Sequence, residues 1–171
     1  VLLDHHAAHE RLIFDSLLTA KKRKQTVESQ NLLVPRLVSL TPVEARSLLE
    51  HQQLLEECGI IFEDFGDNDF LVKATPAWIN EDQVEDLVTD IVGTTLETGL
   101  KPDRDNMEIE LFKTMACKSS VKETTRMSHD EIKALLADLD ANNSPRVCPH
   151  GRPITLTITF TEIRRRLGRT S

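Results

Sequence analysis

The chain has 171 residues, with 28 acidic and 21 basic side chains and a formal net charge of −7. This length is enough for one domain or for two small subdomains with modest cores. The sequence contains no apolar run of the roughly 18 residues that a membrane span needs and no signal-peptide pattern, so we expect a chain outside membranes that is not exported. Three cysteines, an odd number, favour reduced thiols in a cytoplasm over a disulfide framework. The abrupt start in an apolar run predicts a fragment of a longer protein.

Charge is distributed unevenly along the chain. Between Glu44 and Glu110 there are 18 acidic and 4 basic residues, whereas the two flanks together hold 10 acidic and 17 basic residues. A catalytic part that meets phosphate, interrupted by an acidic insert that does not, would have this distribution. A simple mixture of solvated faces would also produce it.

The first residues combine a strand-like run with chemically active side chains. The apolar run Val1–Leu3 is typical of the end of a buried strand, and Asp4 stands where that strand would stop. In the helix that should follow, His6 and Glu10 are four residues apart and share a face. An acid, an imidazole and a second acid at such a junction suggest a metal site, although solvated helix caps are the common alternative.

Two later segments add ligands of another kind. Cys117 ends an apolar helical pattern, and Cys148 and His150 form a C-x-H pair in a Gly- and Pro-rich loop. The chain therefore offers a mixed oxygen, nitrogen and sulfur set that suits zinc or manganese. Its members are Asp4, His6, Glu10, Cys117, Cys148 and His150.

These segments resemble three motifs of the MutL mismatch-repair proteins. The segment D-H-H-A-A-H-E-R-L-I-F-D resembles the family's endonuclease motif D-Q-H-A-x-x-E-x-x-x-x-E, and A-C-K-S-S-V-K resembles A-C-[HRK]-x-x-[VI]-[RK]. The segment C-P-H-G-R-P is identical to the family's third motif, and the order and spacing also agree. The resemblance spans essentially the whole chain, as a MutL C-terminal domain. Three departures are His5 for Gln, Asp15 for the final Glu, and Leu167-Gly168-Arg169 in place of F-x-R.

The expected fold class is α+β (mixed α/β), with two parts. Residues 1–35 and 105–171 should form a sheet-based dimerisation and endonuclease subdomain. Residues 36–104 should form a smaller, acidic, regulatory helix–hairpin–helix insert. The predicted elements are helices at about 7–24, 42–57, 81–97, 107–122, 129–139 and 162–169, and strands at 60–65, 70–74 and 154–160. Capping boxes formed by Thr41 with Glu44 and by Ser128 with Glu131 should open the second and the fifth helix.

The segment Ser29–Pro35 has two interpretations. From its residues alone, it is a short strand closed by Pro35, with Leu32 or Leu33 facing a core. In the family, a similar Q-x-[LM]-[IL]-V-P segment docks on the replicative sliding clamp by placing apolar anchors in a preformed pocket. The clamp-binding residues implied by this resemblance are Gln30, Leu32, Leu33, Val34 and Pro35.

The resemblance implies a metal-dependent endonuclease that nicks one strand of duplex DNA in mismatch repair. Asp4, His6 and Glu10 would be catalytic metal ligands, and Cys117, Cys148 and His150 would complete the site. The implied cofactors are zinc and either manganese or magnesium. Arg152 and Lys118 would contact DNA. The implied partners are duplex DNA, a second copy of the chain, the sliding clamp and a mismatch-recognition protein of the MutS type, in a bacterial cytoplasm close to the nucleoid.

Two other classes of protein use some of the same residue types. A zinc peptidase needs H-E-x-x-H or H-x-x-E-H, and the order His6-Ala-Ala-His9-Glu10 fits neither. A closed structural zinc site in a non-catalytic dimerisation scaffold is the stronger alternative, since thiolates are common structural ligands. Catalysis is favoured because six candidate ligands exceed one tetrahedral shell. By resemblance, family members without nuclease activity lack the D-x-H-A-x-x-E pattern that this chain keeps.

Overall fold

The computed structural model describes residues 1–98, 104–120 and 127–169, and within these ranges it contains helices and two small antiparallel sheets. The predicted α+β class is therefore confirmed. The chain divides into two compact units, one containing Val1–Leu12 and residues 127–169, the other containing the described part of Ile13–Ser120. Among the described residues, none of the helices combines the length and the apolar character needed to cross a membrane.

The first unit is built from the two ends of the chain. Strand β1 pairs antiparallel with β5, with Leu2 opposite Leu156. A small core forms where the start of α1 packs against α6 and the segment before β5, because Ala7 and Ala8 present little more than backbone there. The elements are β1 (Leu2–Leu3), α1 (His5–Arg23), α6 (His129–Ala141), β5 (Thr155–Leu156) and α7 (Phe160–Arg166).

The second unit carries the larger core. A three-stranded antiparallel sheet has the order β2-β4-β3, and an apolar cluster that includes residues of its strands and of the surrounding helices is buried. The predicted capping box opens the first of these helices, since the Thr41 side chain accepts from Glu44 N–H while the Glu44 carboxylate accepts from Thr41 N–H. The elements are β2 (Ser29–Ser39), α2 (Pro42–Glu50), α3 (Gln52–Glu57), β3 (Ile61–Gly66), β4 (Asp69–Pro76), a 3-10 turn (Glu81–Gln83), α4 (Val84–Thr98) and α5 (Arg104–Ser119).

The predicted hairpin is present as β3 and β4. Gly66 pairs with Asp69, so a two-residue turn joins the strands. Asp67 and Asn68 have φ values of 52° and 66°. Positive φ at both positions is the signature of a type I′ turn, in which Asn and Asp are tolerated.

The predicted strand over residues 154–160 is wrong in extent. Only Thr155–Leu156 is a strand, because its partner β1 is just two residues long. Helix α7 then begins at Phe160, where Thr159 caps it by accepting a hydrogen bond from Glu162 N–H at 3.1 Å. The alternating apolar pattern did not reveal this cap. Helix α7 ends at Arg166 rather than near Arg169.

Strand β2 is also longer than predicted, since it continues past Pro35 to Ser39. The proline is tolerated because it lies in a bulge: Asn31 pairs with Ala74 and Arg36 with Val72, so residues 32–35 stand opposite Lys73 alone. Strand β2 lies within the compact unit that contains the described part of Ile13–Ser120, and the division of the chain at residues 35 and 104 stays a prediction.

Two predicted helices differ in detail from those observed. The helix expected to run to Glu57 is broken at His51 into α2 and α3. The helix expected over 81–97 starts with the 3-10 turn Glu81–Gln83 before α4. The predicted end of the fourth helix near residue 122 lies outside the described residues.

Candidate functional site

Glu10 is the centre of the site in the first unit. Its side chain is only 2% exposed, and its two oxygens face different histidines. Oε1 lies 3.2 Å from Nε2 of His6, and Oε2 lies 3.6 Å from Nδ1 of His150. A buried carboxylate is costly unless hydrogen-bonding groups or a cation surround it, so this arrangement suits either imidazole partners or a bound cation.

The start of helix α1 fixes the position of Glu10. Asp4 caps the helix: its Oδ1 accepts a hydrogen bond from Ala7 N–H at 3.0 Å. The backbone N–H of Asp4 donates to the Ile154 carbonyl at 2.9 Å, which ties the helix start to the segment carrying the C-x-H pair. Glu10 follows on the helical face of His6, as its spacing predicts.

The loop that carries Cys148 and His150 is closed by its own backbone. Cys148 N–H donates to the Arg152 carbonyl at 2.8 Å, and Gly151 N–H donates to the Cys148 carbonyl at 2.9 Å. Gly151 has φ +85°, a left-handed conformation that glycine adopts without a steric penalty. This tight turn keeps the buried thiol and the half-exposed imidazole on the side of Glu10.

Glu10, Cys148 and His150 together provide the kinds of ligand atom that zinc sites use. One ligand atom from each of Glu10, Cys148 and His150 lies within 4.8 Å of the other two, and no other group of this kind is found within the described ranges. Zinc–ligand distances of about 2.0–2.3 Å place tetrahedral ligands about 3.5 Å apart, so small side-chain rotations would bring these three ligand atoms onto one ion. The carboxylate, thiol and imidazole therefore fit a zinc ion.

The other candidate residues lie in different settings. His6 contacts the group through Glu10, and Asp4 is exposed at the cap of the same helix. Cys117 is exposed on α5, in the second unit. Lys118 is ion-paired with Asp90, and this hydrogen bond raises the pKa of the amine, so a phosphate would compete with a carboxylate for it. Arg152 is exposed in the C-x-H loop.

Two further histidines, His5 and His9, lie near the start of α1. Burial, followed by the charges of His6 and His5, lowers the pKa of His9, which favours a neutral imidazole there. His5, which replaces the family's Gln, has its Nε2 buried without a hydrogen-bond partner among the described residues. The sequence identified His5 as a departure but gave no sign of this burial.

The predicted clamp-binding segment lies at the bulge of β2. We call residues 32–35 the bulge loop. Leu32 is buried in the core of the second unit, whereas Leu33 and Val34 are 92% and 63% exposed. Glu81 contacts this loop and the residue that follows it: Leu33 N–H donates to its Oε1 at 3.3 Å, and Arg36 Nη2 lies 3.6 Å from its Oε2. Sequence analysis did not single out Glu81, since a contact across 48 residues leaves no local signal.

Comparison with known proteins identifies relatives of one kind. A sequence model of the family described as "MutL C terminal dimerisation domain" matches residues 1–127. The chain is 36% identical over 165 residues to "DNA mismatch repair protein MutL" of Thermodesulfovibrio yellowstonii, covering 96% of this chain and 30% of that protein. Proteins with the same name in Brucella abortus (strain S19) and Clostridium acetobutylicum are 34% and 33% identical over 99% and 98% of this chain, and 27% of each of them is covered. The chain thus spans less than a third of the length of these curated relatives.

Proposed function

This chain belongs to the family of MutL C-terminal dimerisation domains, and from that premise we propose that it is a metal-dependent endonuclease that nicks one strand of duplex DNA in mismatch repair. The observation that carries the proposal is the grouping of Glu10 with Cys148 and His150, with His6 on the other oxygen of the same carboxylate. A buried carboxylate with a histidine at each oxygen, one of them half-exposed in a loop, is suited to hold a metal ion that solvent can reach.

Each residue has a defined task in this proposal. Glu10, Cys148 and His150 hold a zinc ion, while Asp4 and His6 supply an acid and an imidazole for a second divalent ion, manganese or magnesium. Metal ions bound there would neutralise and polarise a phosphodiester, lowering the barrier to hydrolysis by several kcal/mol. Asp4 is held by the hydrogen bond that its carboxylate accepts from Ala7 N–H, and His6 is held by its contact with Glu10. Both side chains are therefore oriented before substrate binds.

Cationic side chains near the motifs would contact the DNA backbone. Arg152 is exposed in the C-x-H loop and can meet a phosphate with a planar fork of donors. The Lys118 contact would be weaker, because its amine already pairs with Asp90. With a net charge of −7, the chain should bind DNA weakly on its own, and added salt should weaken the binding further.

We further propose two protein contacts. A second copy of the chain would cover the exposed cross-strand pair Leu2 and Leu156, which are 60% and 56% exposed. A sliding clamp would accept the bulge loop, where Leu33 and Val34 project as apolar anchors. A mismatch-recognition protein of the MutS type would act with the whole protein, in the bacterial cytoplasm.

The competing proposal is a dimerisation scaffold with a purely structural zinc site. It is favoured by the same grouping, since carboxylate, thiolate and imidazole also occur in closed zinc sites. The two proposals differ in metal count. One tightly held zinc per chain and nothing more supports the scaffold, whereas a second, exchangeable site supports the nuclease.

A plasmid-nicking assay tests the nuclease proposal. Supercoiled plasmid is incubated with the chain, alone and within its full-length protein, in manganese or in EDTA. We expect conversion to the open-circular form in manganese and none in EDTA. Absence of nicking by the full-length protein in manganese, with a sliding clamp present, would overturn the proposal.

A further inference from the structure

One residue outside strand β2, Glu81, contacts both the bulge loop and the residue that follows it. Four residues of β2 stand opposite one residue of β4, so the loop must leave the sheet plane. Leu32 anchors it in the core while Leu33 and Val34 project outward. The backbone N–H groups of such a loop have no partners in the sheet. Without other hydrogen bonds to hold it, the loop would adopt many conformations.

We propose that Glu81 is a positioning residue that holds the bulge loop in the shape in which it presents Leu33 and Val34 to a partner protein. One oxygen of its carboxylate accepts from Leu33 N–H at 3.3 Å, and the other lies 3.6 Å from the guanidinium of Arg36. Glu81 thus reaches a residue inside the loop and the first paired residue after it. This inference rests on the proposed docking of the loop on a sliding clamp.

The geometry explains why a carboxylate is needed at this position. A carboxylate accepts hydrogen bonds at both oxygens, so it can serve the backbone N–H and the guanidinium at once. The ion pair with Arg36 is exposed and weak by itself. Its effect is to orient the Glu81 carboxylate so that it accepts from Leu33 N–H. The loop is then already ordered before docking, which lowers the entropy cost of binding.

Amide hydrogen exchange at Leu33 tests the positioning without any partner. In Glu81→Ala, Leu33 should exchange about fivefold faster, the loss expected for one exposed hydrogen bond. Glu81→Gln should recover part of the protection, because its amide oxygen still accepts while the ion pair is lost. Glu85→Ala is the control: it removes an exposed acid from the first turn of α4. Unchanged exchange at Leu33 in Glu81→Ala would overturn the inference.

Binding to an immobilised bacterial sliding clamp tests whether the loop conformation that Glu81 holds contributes to docking. Glu81→Ala should weaken binding by about three- to tenfold, Glu81→Gln by less, and Glu85→Ala not at all, with melting temperatures as a fold control. Leu33→Ala should abolish binding. If Leu33→Ala and the unaltered chain bind equally, or neither binds, the docking proposal fails and this use of Glu81 fails with it. If Leu33→Ala abolishes binding but Glu81→Ala does not weaken it, only the positioning inference fails.

Discussion

At the scale of single residues, the candidate site is centred on the buried carboxylate of Glu10. Glu10 is 2% exposed, and its neighbours are His6 on one side and Cys148 with His150 on the other. Removing one donor from such a group leaves the buried carboxylate less compensated, and if the group binds zinc as proposed, each ligand lost should lower the affinity for the metal.

Cys148→Ser should reduce bound zinc well below one ion per chain. Serine lacks the thiolate that zinc prefers, and metal binding is linked to folding, so the melting temperature should fall as well. Elemental analysis of the purified chain and a thermal melt measure the two effects. Cys58→Ala is the control for zinc content. Cys58 is buried in the core of the second unit and is not one of the proposed ligands, so its loss should leave the bound zinc unchanged. Equal zinc in Cys148→Ser and the unaltered chain would contradict a zinc role for this thiol.

The thiols of Cys58 and Cys117 should differ in reactivity. Burial, followed by the charges of Glu108 and Glu57, raises the pKa of Cys58 to about 12. At pH 8 only about one Cys58 in ten thousand would then be a thiolate, the form that reacts. Iodoacetamide at this pH should modify the exposed Cys117 and leave Cys58 intact until the chain unfolds, as peptide mass spectrometry can show. Rapid alkylation of Cys58 in the folded chain would be inconsistent with this burial.

Motif residues could be located from the sequence, but their surroundings could not. The spacing of His6 and Glu10 places them on one helical face, and the structure has them in contact. The burial of Glu10 depends on Ala7 and Ala8 packing against the C-x-H segment, which is more than a hundred residues away in sequence. Glu81 was not found because its contacts with the bulge loop are equally non-local.

At the scale of elements, local signals succeeded where local chemistry decides the conformation. The capping boxes at Thr41 and Ser128 are present as predicted, and so is the hairpin. The predicted strand over 154–160 failed because a strand needs a partner of equal length, and β1 offers only two residues. Pro35 did not end β2 because the bulge removes the need for its missing N–H.

The hairpin turn provides a test of element stability. Asn68 has φ 66°, a conformation that β-branched residues rarely adopt. Asn68→Val should therefore lower the free energy of unfolding by about 1–2 kcal/mol, whereas Asn68→Gly should leave it equal or slightly higher. Urea unfolding of the two variants measures the difference. Equal midpoints for Val and Gly would show that the turn does not have the positive φ described here.

At the scale of the whole molecule, the exposed apolar residues of the first unit indicate where a second copy would bind. Leu2 and Leu156 are directly opposite on β1 and β5 and both face outward. Helix α7 adds Phe160 and Ile163, and its C-cap residue Leu167 follows with helical spacing; all three are exposed. An apolar surface of this kind is typical of an interface between proteins.

The chain should form a homodimer that Leu156→Lys weakens. A lysine there would bring a charge into an apolar interface, and twofold symmetry would bring it twice. Sedimentation at tens of micromolar, the order of magnitude for a stable interface, should show a dimer for the unaltered chain and a shift to monomer for the variant. Leu33→Lys is the control: it places the same charge at an exposed leucine of the second unit and should leave the dimer intact. A monomer without any substitution would contradict the dimer.

The most direct test of the endonuclease proposal is manganese-stimulated nicking of supercoiled plasmid by Asp4→Asn. Asparagine keeps the cap, because its side-chain oxygen can still accept from Ala7 N–H, so helix and fold should persist. It loses the negative charge proposed to bind the second metal ion, which should lower the nicking rate at least about a hundredfold. Asp130→Asn, an equally conservative change at the exposed start of α6, should nick at the unaltered rate. Unaltered nicking by Asp4→Asn in manganese would contradict the proposed catalytic site.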